Sequence, residues 1–154
     1  MDTKKPQKRH KALQPLSREH HHGLLLSWKI RSGFSKNIAP KRIKTYADWF
    51  FENHLIPHFE MEEAHVFTIL NEDNELVKRA LADHRQLKRL FTEPNDKTKA
   101  LSKIEEELDK HIRFEERVLF PEIQKVATED QLALIEDIHQ EHGFVDKVDD
   151  EFWK

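Results

Sequence analysis

Apolar residues recur at intervals of three and four positions along most of the chain, the spacing that places them on one face of an α-helix. Prolines, glycines and N-capping residues divide this pattern into five helical segments. Pro57 and Pro121 fall inside the second and fourth segments, where each removes one backbone hydrogen bond and is expected to disturb the helix. Ser17 is expected to cap the first helix, and Thr128 with Gln131 matches a capping box. The segments lie at about residues 16–33, 40–70, 73–93, 97–126 and 128–154.

Four long helices joined by short connections favour an all-α fold, an antiparallel up-down-up-down four-helix bundle. The short fifth helix would pack against the side or end of this bundle and carry the chain end. Residues 1–15 hold five basic residues against one acidic residue and are expected to form a flexible basic arm. The pattern therefore predicts one folded domain over residues 16–154.

The composition of the 154-residue chain excludes several kinds of site. The absence of cysteine rules out a disulfide framework, a zinc–thiolate site, an iron–sulfur cluster and a cysteine nucleophile. No run of about 18 apolar residues and no secretory pattern are found, so we expect a cytoplasmic protein without a membrane partner. The formal net charge of −3 gives no reason to expect nucleic acid. The 11 histidines, by contrast, direct attention to metal binding.

The second and fourth helices contain the same motif, H-x-x-x-E-E-x-x-[VL]-F. It runs from His58 to Phe67 and again, 53 residues later, from His111 to Phe120. A match of one His, two Glu and one Phe at equal spacing exceeds what the abundance of His and Glu would produce by chance. The repeat predicts two helices, related by a pseudo-two-fold axis, that offer the same groups to a shared centre.

The His and the first Glu of each motif lie among apolar residues at helical spacing. His58 and Glu62, like His111 and Glu115, are therefore expected to point into the core. An ionised carboxylate in that position is costly unless it is paired or bound to a metal.

The first and third helices add further inward histidines. His84 lies on an apolar face of the third helix, and His21 has three apolar residues on its face of the first. His20 is the alternative to His21, because an acidic residue precedes both His20 and His84. Four helices thus each aim an imidazole inward, and two of them add a carboxylate.

Inward polar groups at one level of a bundle are explained either by a hydrogen-bonded network or by a metal. A network must be satisfied almost completely, so a metal site is favoured. A mixture of imidazole and carboxylate suits iron, manganese or zinc better than calcium or magnesium. Two carboxylates on facing helices are placed to bridge two ions, which favours a dinuclear centre.

Together these motifs resemble the bacterial type of the hemerythrin-like (HHE cation-binding) family. The resemblance is carried by Ser17-Arg18-Glu19-His20-His21, the two H-x-x-x-E-E motifs and the continuation to Pro121, and covers about residues 16–125. It implies a four-helix bundle with a non-haem centre of two iron ions (Fe²⁺/Fe³⁺), bridged by carboxylate and by oxo or hydroxo groups, with zinc or manganese as alternative metals. It also implies coordination positions open to a diatomic ligand, dioxygen or nitric oxide. The metal ligands that it implies are His21 or His20, His58, Glu62, His84, His111 and Glu115.

The chain differs from the oxygen-carrying members of that family. They have a H-x-x-x-H pair on the third helix and a H-x-x-x-x-D pair on the fourth, whereas this chain offers only His84 on the third and H-x-x-x-E on the fourth. It is more similar to the bacterial and iron-sensing branches. We therefore expect a protein that binds or senses iron, dioxygen or nitric oxide. A diiron oxidase or peroxidase and a metal-free helical interaction module are the alternatives.

Other polar residues near the motifs give weaker indications. Glu63 and Glu116 lie about a hundred degrees round the helix from the first Glu of each motif and are expected to face solvent or the edge of the bundle. His54 and Glu107, one turn before the motif histidines, are candidates to hydrogen-bond them. Two histidines of the last helix are expected to be partly exposed near the site: His139 and His142.

Overall fold

The computed structural model describes residues 8–139 and 143–154, and these residues form five helices with no strand among them. None of these helices is long and apolar enough to cross a membrane. The first long helix is Gln14–Ser35, the third is Glu75–Phe91 and the short fifth is Glu129–Ile138. The second is a continuous run of Pro40–Phe50 (α), Phe51–Leu55 (π), Ile56–Met61 (α), Glu62–Val66 (π) and Phe67–Ile69 (3₁₀). The fourth is a continuous run of Lys97–Phe114 (α), Glu115–Leu119 (π) and Phe120–Val126 (α).

The all-helical prediction is confirmed, and side chains cap the third and fifth helices, the fifth as expected. The Asn74 side chain accepts hydrogen bonds from the backbone N–H groups of Leu76 and Val77 at the start of the third helix. Thr128 and Gln131 form the expected capping box at the start of the fifth. Each cap satisfies backbone donors that the first helical turn leaves free.

The first helix begins at Gln14, so the expectation that Ser17 caps it is wrong. Pro15 occupies its first turn, where a missing N–H costs nothing, and Leu13 before it is fully buried. The hydroxyl of Ser17 instead donates to Glu116 Oε2 at 2.8 Å. Ser17 therefore joins the first helix to the fourth.

Residues 8–13, within the segment expected to be a flexible arm, lie against the helices. Ala12 is fully buried, and Arg9 Nη2 donates to the backbone oxygen of Glu116 at 2.7 Å. The packed region therefore includes residues from position 8 onward rather than from 16. Residues 1–7 of the expected arm lie outside the described residues.

The apolar core forms two clusters with a polar layer between them. Leu26 and Leu87 belong to the first cluster, and Leu16 and Ala80 to the second. Along the first and third helices, the earlier buried apolar residues belong to the second cluster and the later ones to the first cluster. Along the second and fourth helices, this order is reversed. On every long helix the change occurs beside an inward histidine: His20, His58, His84 and His111.

Two π-helical segments begin at the motif carboxylates Glu62 and Glu115, at equivalent positions of the repeat. The hydrogen bonds of a π-helix span five residues rather than four, so each residue advances by a smaller angle than in an α-helix. The residue after each motif carboxylate consequently stays nearer the core than α-helical spacing implies.

Pro57 and Pro121 each follow a π-helical segment by two residues. A proline inside a helix lacks an N–H group and crowds the carbonyl four residues earlier. The wider π-turn relieves this crowding, so the disturbance expected at each proline is present as a local widening of a continuous helix.

The fifth helix does not carry the chain to its end, contrary to expectation. Residues 143–154, called here the C-terminal strap, are non-helical, and Phe152 and Trp153 are buried in the first apolar cluster. The Asp146 carboxylate accepts hydrogen bonds from Lys29 Nζ at 2.7 Å and from the Tyr46 hydroxyl at 2.5 Å. These contacts fix the strap to the first and second helices.

Candidate metal centre

Six buried polar side chains converge in the layer between the two apolar clusters. Four are histidines, one from each long helix, and two are glutamates from the second and fourth helices. None has more than 5% of its surface exposed. We call them the six inner residues: His20, His58, Glu62, His84, His111 and Glu115.

His21, the seventh predicted residue, is exposed and lies outside this cluster. The choice left open by the sequence therefore falls on His20. A Cβ atom added to Gly23 would lie 2.6 Å from Cδ1 of Ile112, so the first helix approaches the fourth closely along the face that carries His20. The apolar residues near His21 lie towards the surface, and Trp28 is 49% exposed.

The inner residues form two donor groups that share both carboxylates. Within each group the donor atoms lie within 4.8 Å of one another. The two carboxylates thus stand between two pairs of imidazoles. One group is His20, His58, Glu62 and Glu115, and the other is Glu62, His84, His111 and Glu115.

Each inner carboxylate faces imidazole nitrogens from both pairs. Glu62 Oε2 lies 3.3 Å from His58 Nε2, and Glu62 Oε1 lies 3.2 Å from His84 Nε2. Glu115 Oε1 lies 2.7 Å from His111 Nε2 and 3.4 Å from Nε2 of the first-helix histidine. Both inner carboxylates therefore lie between the two pairs of imidazoles.

Each inner histidine also donates a hydrogen bond from Nδ1, its other ring nitrogen, to one further carboxylate. The distance from Nδ1 to the carboxylate oxygen is 2.9 Å for His111 and 2.7 Å for the other three histidines. We call the four acceptor residues the outer carboxylates. The pairs are His20 with Glu116, His58 with Glu19, His84 with Glu63, and His111 with Asp83.

The outer carboxylates close a ring around the centre. Every long helix carries one, and it binds the histidine of the next long helix in chain order, with the fourth helix returning to the first. Each also adjoins an inner residue in sequence, as in Glu19-His20 and Glu115-Glu116. Two consecutive residues on each long helix therefore share the work of the site: one is an inner residue, and the other is an outer carboxylate that accepts a hydrogen bond from the histidine of the next long helix.

Glu63 and Glu116 lie half-exposed at the edge of the bundle, one of the two positions expected for them, and they also contact the centre. Their side chains are 35% and 31% exposed, and each accepts a hydrogen bond from an inner histidine at 2.7 Å. The expectation assumed α-helical spacing, whereas both residues lie in π-helical segments. The sequence signal for all four outer carboxylates is an acidic residue directly beside an inner residue.

The hydrogen bonds to the outer carboxylates determine whether Nε2 of each inner histidine carries a hydrogen or a lone pair. Because Nδ1 donates its hydrogen outward, Nε2 of a neutral imidazole presents a lone pair inward. Among the described residues, His20 Nε2, His58 Nε2 and all four oxygens of Glu62 and Glu115 have no hydrogen-bond partner. Buried acceptors without donors are costly, and a bound cation would satisfy them together. The donor set therefore fits a transition metal.

The electrostatics of the centre also favour positive charge. Burial disfavours the charged imidazole of His58, but the charge of Glu62 and the hydrogen bond to Glu19 outweigh it and raise the pKa of His58 to about 9. The pKa of His111 is likewise raised to about 9 by Glu115, against the effect of burial. The surrounding imidazoles hold the pKa of Glu62 well below its ordinary value despite its burial. The negative charge of the carboxylates can thus be balanced either by protons on the imidazoles in the metal-free protein or by metal ions.

A cavity of about 40 Å³, called here the inner cavity, adjoins the centre at His20, His58, His111 and Glu115. Its other walls come from the first, second and fourth helices and from the strap. A water molecule needs about 10–15 Å³ of such space, so the inner cavity holds a molecule of about two or three atoms. The apolar residues that line it are Phe50, Leu55, Phe59, Leu108, Ile112 and Phe144.

His54 and Glu107 do not take the expected role of hydrogen-bonding the motif histidines. Glu19 and Asp83 occupy the Nδ1 atoms of those imidazoles instead. The ring of His54 packs at 5.0 Å from that of Trp49.

His139, at the end of the fifth helix, contacts the ring of outer carboxylates. Its Nε2 donates to Glu19 Oε2 at 3.0 Å, and 18% of its side chain is exposed. His139 is thus partly exposed, as expected, and it also joins the fifth helix to Glu19 of the first helix. His142 lies outside the described residues.

Comparisons with protein-family models, with curated proteins and with solved structures find no match to the chain. The donor atoms, their burial and the two shared carboxylates are therefore the observations on which a function can be based.

Proposed function

We propose that this chain is a non-haem diiron protein of the hemerythrin-like type that binds or senses iron, dioxygen or nitric oxide. The observation that carries the proposal is the pair of buried donor groups that share Glu62 and Glu115. Buried acceptors that face one another without donors call for cations, and imidazole with carboxylate is a donor set for transition metals.

Two ions account for the donors better than one. The inward atoms fall into two sets, each within 4.8 Å, and each set contains two imidazoles and both inner carboxylates. A bridging carboxylate between two cations also reduces their mutual repulsion. Six protein groups shared in this way leave coordination positions free on both ions.

Iron is the metal proposed because the H-x-x-x-E-E motifs resemble the hemerythrin-like family. Helical bundles with carboxylates and histidines projecting inward are a known setting for paired iron or manganese ions. Zinc and manganese also suit these ligands and are tested as competitors below. When bound, the iron pair would supply ligand binding and one-electron chemistry.

An antiparallel up-down-up-down arrangement of the four long helices accounts for the polar layer. Buried residues pass between the two apolar clusters in alternating directions along successive helices. Short connections between consecutive helices produce this alternation. The layer then receives one histidine from each helix at the same height.

The inner cavity supports a diatomic ligand. It adjoins both donor groups at His20, His58, His111 and Glu115, has six apolar side chains in its remaining wall, and measures about 40 Å³. Sites for organic ligands are usually about 300–1,000 Å³, so binding of a small gas is favoured over oxidation of an organic substrate. Because the third helix offers only His84, sensing or scavenging is favoured over reversible carriage.

Anaerobic titration of the metal-free protein with ferrous iron tests the proposal. We expect uptake of about two ions per chain and magnetic coupling between them after oxidation. Competition with zinc and manganese establishes which metal binds most tightly. Saturation at one ion without coupling would contradict the dinuclear centre, and failure to bind any of the three metals would contradict a metal function.

Matched variants connect the titration to the centre. Glu62→Gln and Glu115→Gln keep the size of each side chain but remove its charge, so both are expected to reduce metal uptake. Glu60→Gln lies on the exposed face of the second helix and serves as the control. Full uptake by Glu62→Gln and Glu115→Gln would show that neither carboxylate binds the metal.

A further inference from the structure

Phe144 of the C-terminal strap lies between two spaces near the proposed centre. One is the inner cavity of about 40 Å³, and the other is a surface hollow of about 270 Å³, called here the vestibule. Phe144, His22 and His54 line both spaces, and both spaces also reach Glu19 and His58. A molecule that moves from the vestibule to the inner cavity therefore passes among these shared residues, three of which present the rings of Phe144, His22 and His54.

Aromatic contacts hold the Phe144 ring against both neighbouring helices. The ring stacks on His22 of the first helix, with centroids 3.9 Å apart and planes 14° apart. Its centroid lies 4.7 Å from that of His54 on the second helix. Phe144 thus fills the gap between the two helices at the boundary between the vestibule and the inner cavity.

The backbone of the strap is anchored just beyond this ring. Asp146, two residues later, is hydrogen-bonded to Lys29 and Tyr46, and the buried Trp153 ring lies 4.0 Å from Lys29 Nζ. With the strap held in this way, the passage can open by rotation of one side chain. Side-chain rotations of this kind are faster than the detachment of a whole segment.

We propose that Phe144 is the specificity-determining residue that controls the entry of small uncharged molecules from the vestibule into the inner cavity. Passage between stacked rings favours molecules that need no hydrogen bonds, and the size of the inner cavity limits them to about two or three atoms. The control of entry does not depend on the proposed function. The proposed function enters only in the statement that a molecule in the inner cavity reaches a metal centre.

The first test uses the metal-free protein, so that its outcome does not depend on metal. Xenon, an apolar probe, is applied under pressure, and its exchange with the inner cavity is followed by NMR at the methyl groups of Leu55, Leu108 and Ile112. Phe144→Ala is expected to speed exchange about tenfold, a factor equivalent to about 1.4 kcal/mol and within the range of one aromatic stacking contact. Phe144→Trp, with a larger ring, is expected to slow it.

The matched control is Val145→Ala, which alters the next residue of the strap. Val145 is 77% exposed and lines neither space, so xenon exchange should match that of the unmodified protein. Equal exchange rates in Phe144→Ala, Val145→Ala and the unmodified protein would overturn the proposal. Unchanged exchange in Phe144→Trp would overturn it in the same way, even if Phe144→Ala loosened the strap.

The second test measures nitric oxide association with the ferrous protein by stopped flow. Phe144→Ala should accelerate association by about the same tenfold factor and leave the final spectrum unchanged. If xenon exchange responds to Phe144 but no variant reacts with nitric oxide, the control of entry by Phe144 is supported and the proposed binding of nitric oxide at the centre is contradicted. If nitric oxide binds at one rate in all variants, Phe144 does not control entry.

Discussion

Glu116 accepts a hydrogen bond from Nδ1 of His20 at 2.7 Å, although 96 positions separate the two residues in the chain. This contact joins the fourth helix to the first and closes the ring of outer carboxylates. A carboxylate in this position fixes the tautomer and orientation of the imidazole and makes its other nitrogen a stronger donor to a metal. At the proposed centre, the ring would therefore strengthen metal binding through the imidazoles that it orients.

Replacement of Glu116 by Ala is expected to weaken metal binding by about 10- to 100-fold, the usual effect of removing such a partner. Glu63→Ala, at the equivalent position of the repeat, should behave in the same way. Competition with a chelator measures the affinity. Glu60→Ala is the exposed control, and equal affinities for Glu60→Ala and Glu116→Ala would show that the ring has no role in metal binding.

Local sequence predicts the helices and the inner layer, but it does not predict the ring. Apolar spacing, prolines and caps act between near neighbours, so they predict five helices, and the repeat selects His58 and Glu62 with their counterparts in the fourth helix. The hydrogen bonds of the ring join residues 21 to 96 positions apart. Two of them involve Glu63 and Glu116, which lie in the π-helical turns at Glu62 and Glu115 that the apolar pattern does not predict.

His20→Ala is expected to lower metal content substantially, whereas His21→Ala should leave it unchanged. His20 is 3% exposed and belongs to a donor group, while its neighbour is exposed. Counting apolar neighbours favoured His21, but the buried face of the first helix contains Gly23 and Ser27, which add little to such a count. Metal analysis of the two variants distinguishes them, and a larger loss in His21→Ala would contradict the assignment.

The metal-free protein is expected to lose stability as the pH rises above neutrality. The pKa values of His58 and His111 are raised from 6.5 to about 9 by the carboxylates beside them, which outweigh the effect of burial. A raised pKa in the folded state contributes stability that is complete below the ordinary value and is lost as the pH rises through the folded value. The free energy of unfolding should therefore fall between pH 6.5 and about 9, by on the order of a few kcal/mol.

Urea unfolding at a series of pH values measures this loss. The metal-loaded protein should retain its stability over the same range, because the metal replaces the protons. The lowered pKa of Glu62 acts at the other end, where stability should be lost as the pH falls below 4.5. A stability that stays constant from pH 6.5 to 9 in the metal-free protein would contradict the charge assignment.

Asp146→Ala is expected to lower the free energy of unfolding by about 1–3 kcal/mol, because the change leaves the buried ammonium group of Lys29 without its carboxylate partner and with the Tyr46 hydroxyl as an acceptor. Lys29 is only 7% exposed, and its ammonium group donates to Asp146 at 2.7 Å. Asp149→Ala removes an exposed carboxylate of the same strap that contacts Lys147, and it should have little effect. Equal stabilities of the two variants would show that the strap is not anchored at Asp146.

The diferrous protein is expected to react with both dioxygen and nitric oxide, and its oxidation by dioxygen should be irreversible. The inner cavity reaches His20, His58, His111 and Glu115, so a gas should bind where these residues meet the cavity. Its apolar walls exclude anions more strongly than uncharged diatomic molecules, because a charge loses its hydration there. The third helix supplies His84 alone, so the centre has one imidazole fewer than the oxygen-carrying members of the family that the motifs resemble. Stopped-flow spectra after mixing with each gas measure the reactions. A long-lived oxygen adduct that releases its ligand on deoxygenation would indicate a carrier, and the absence of any spectral change with either gas would leave iron binding without gas binding.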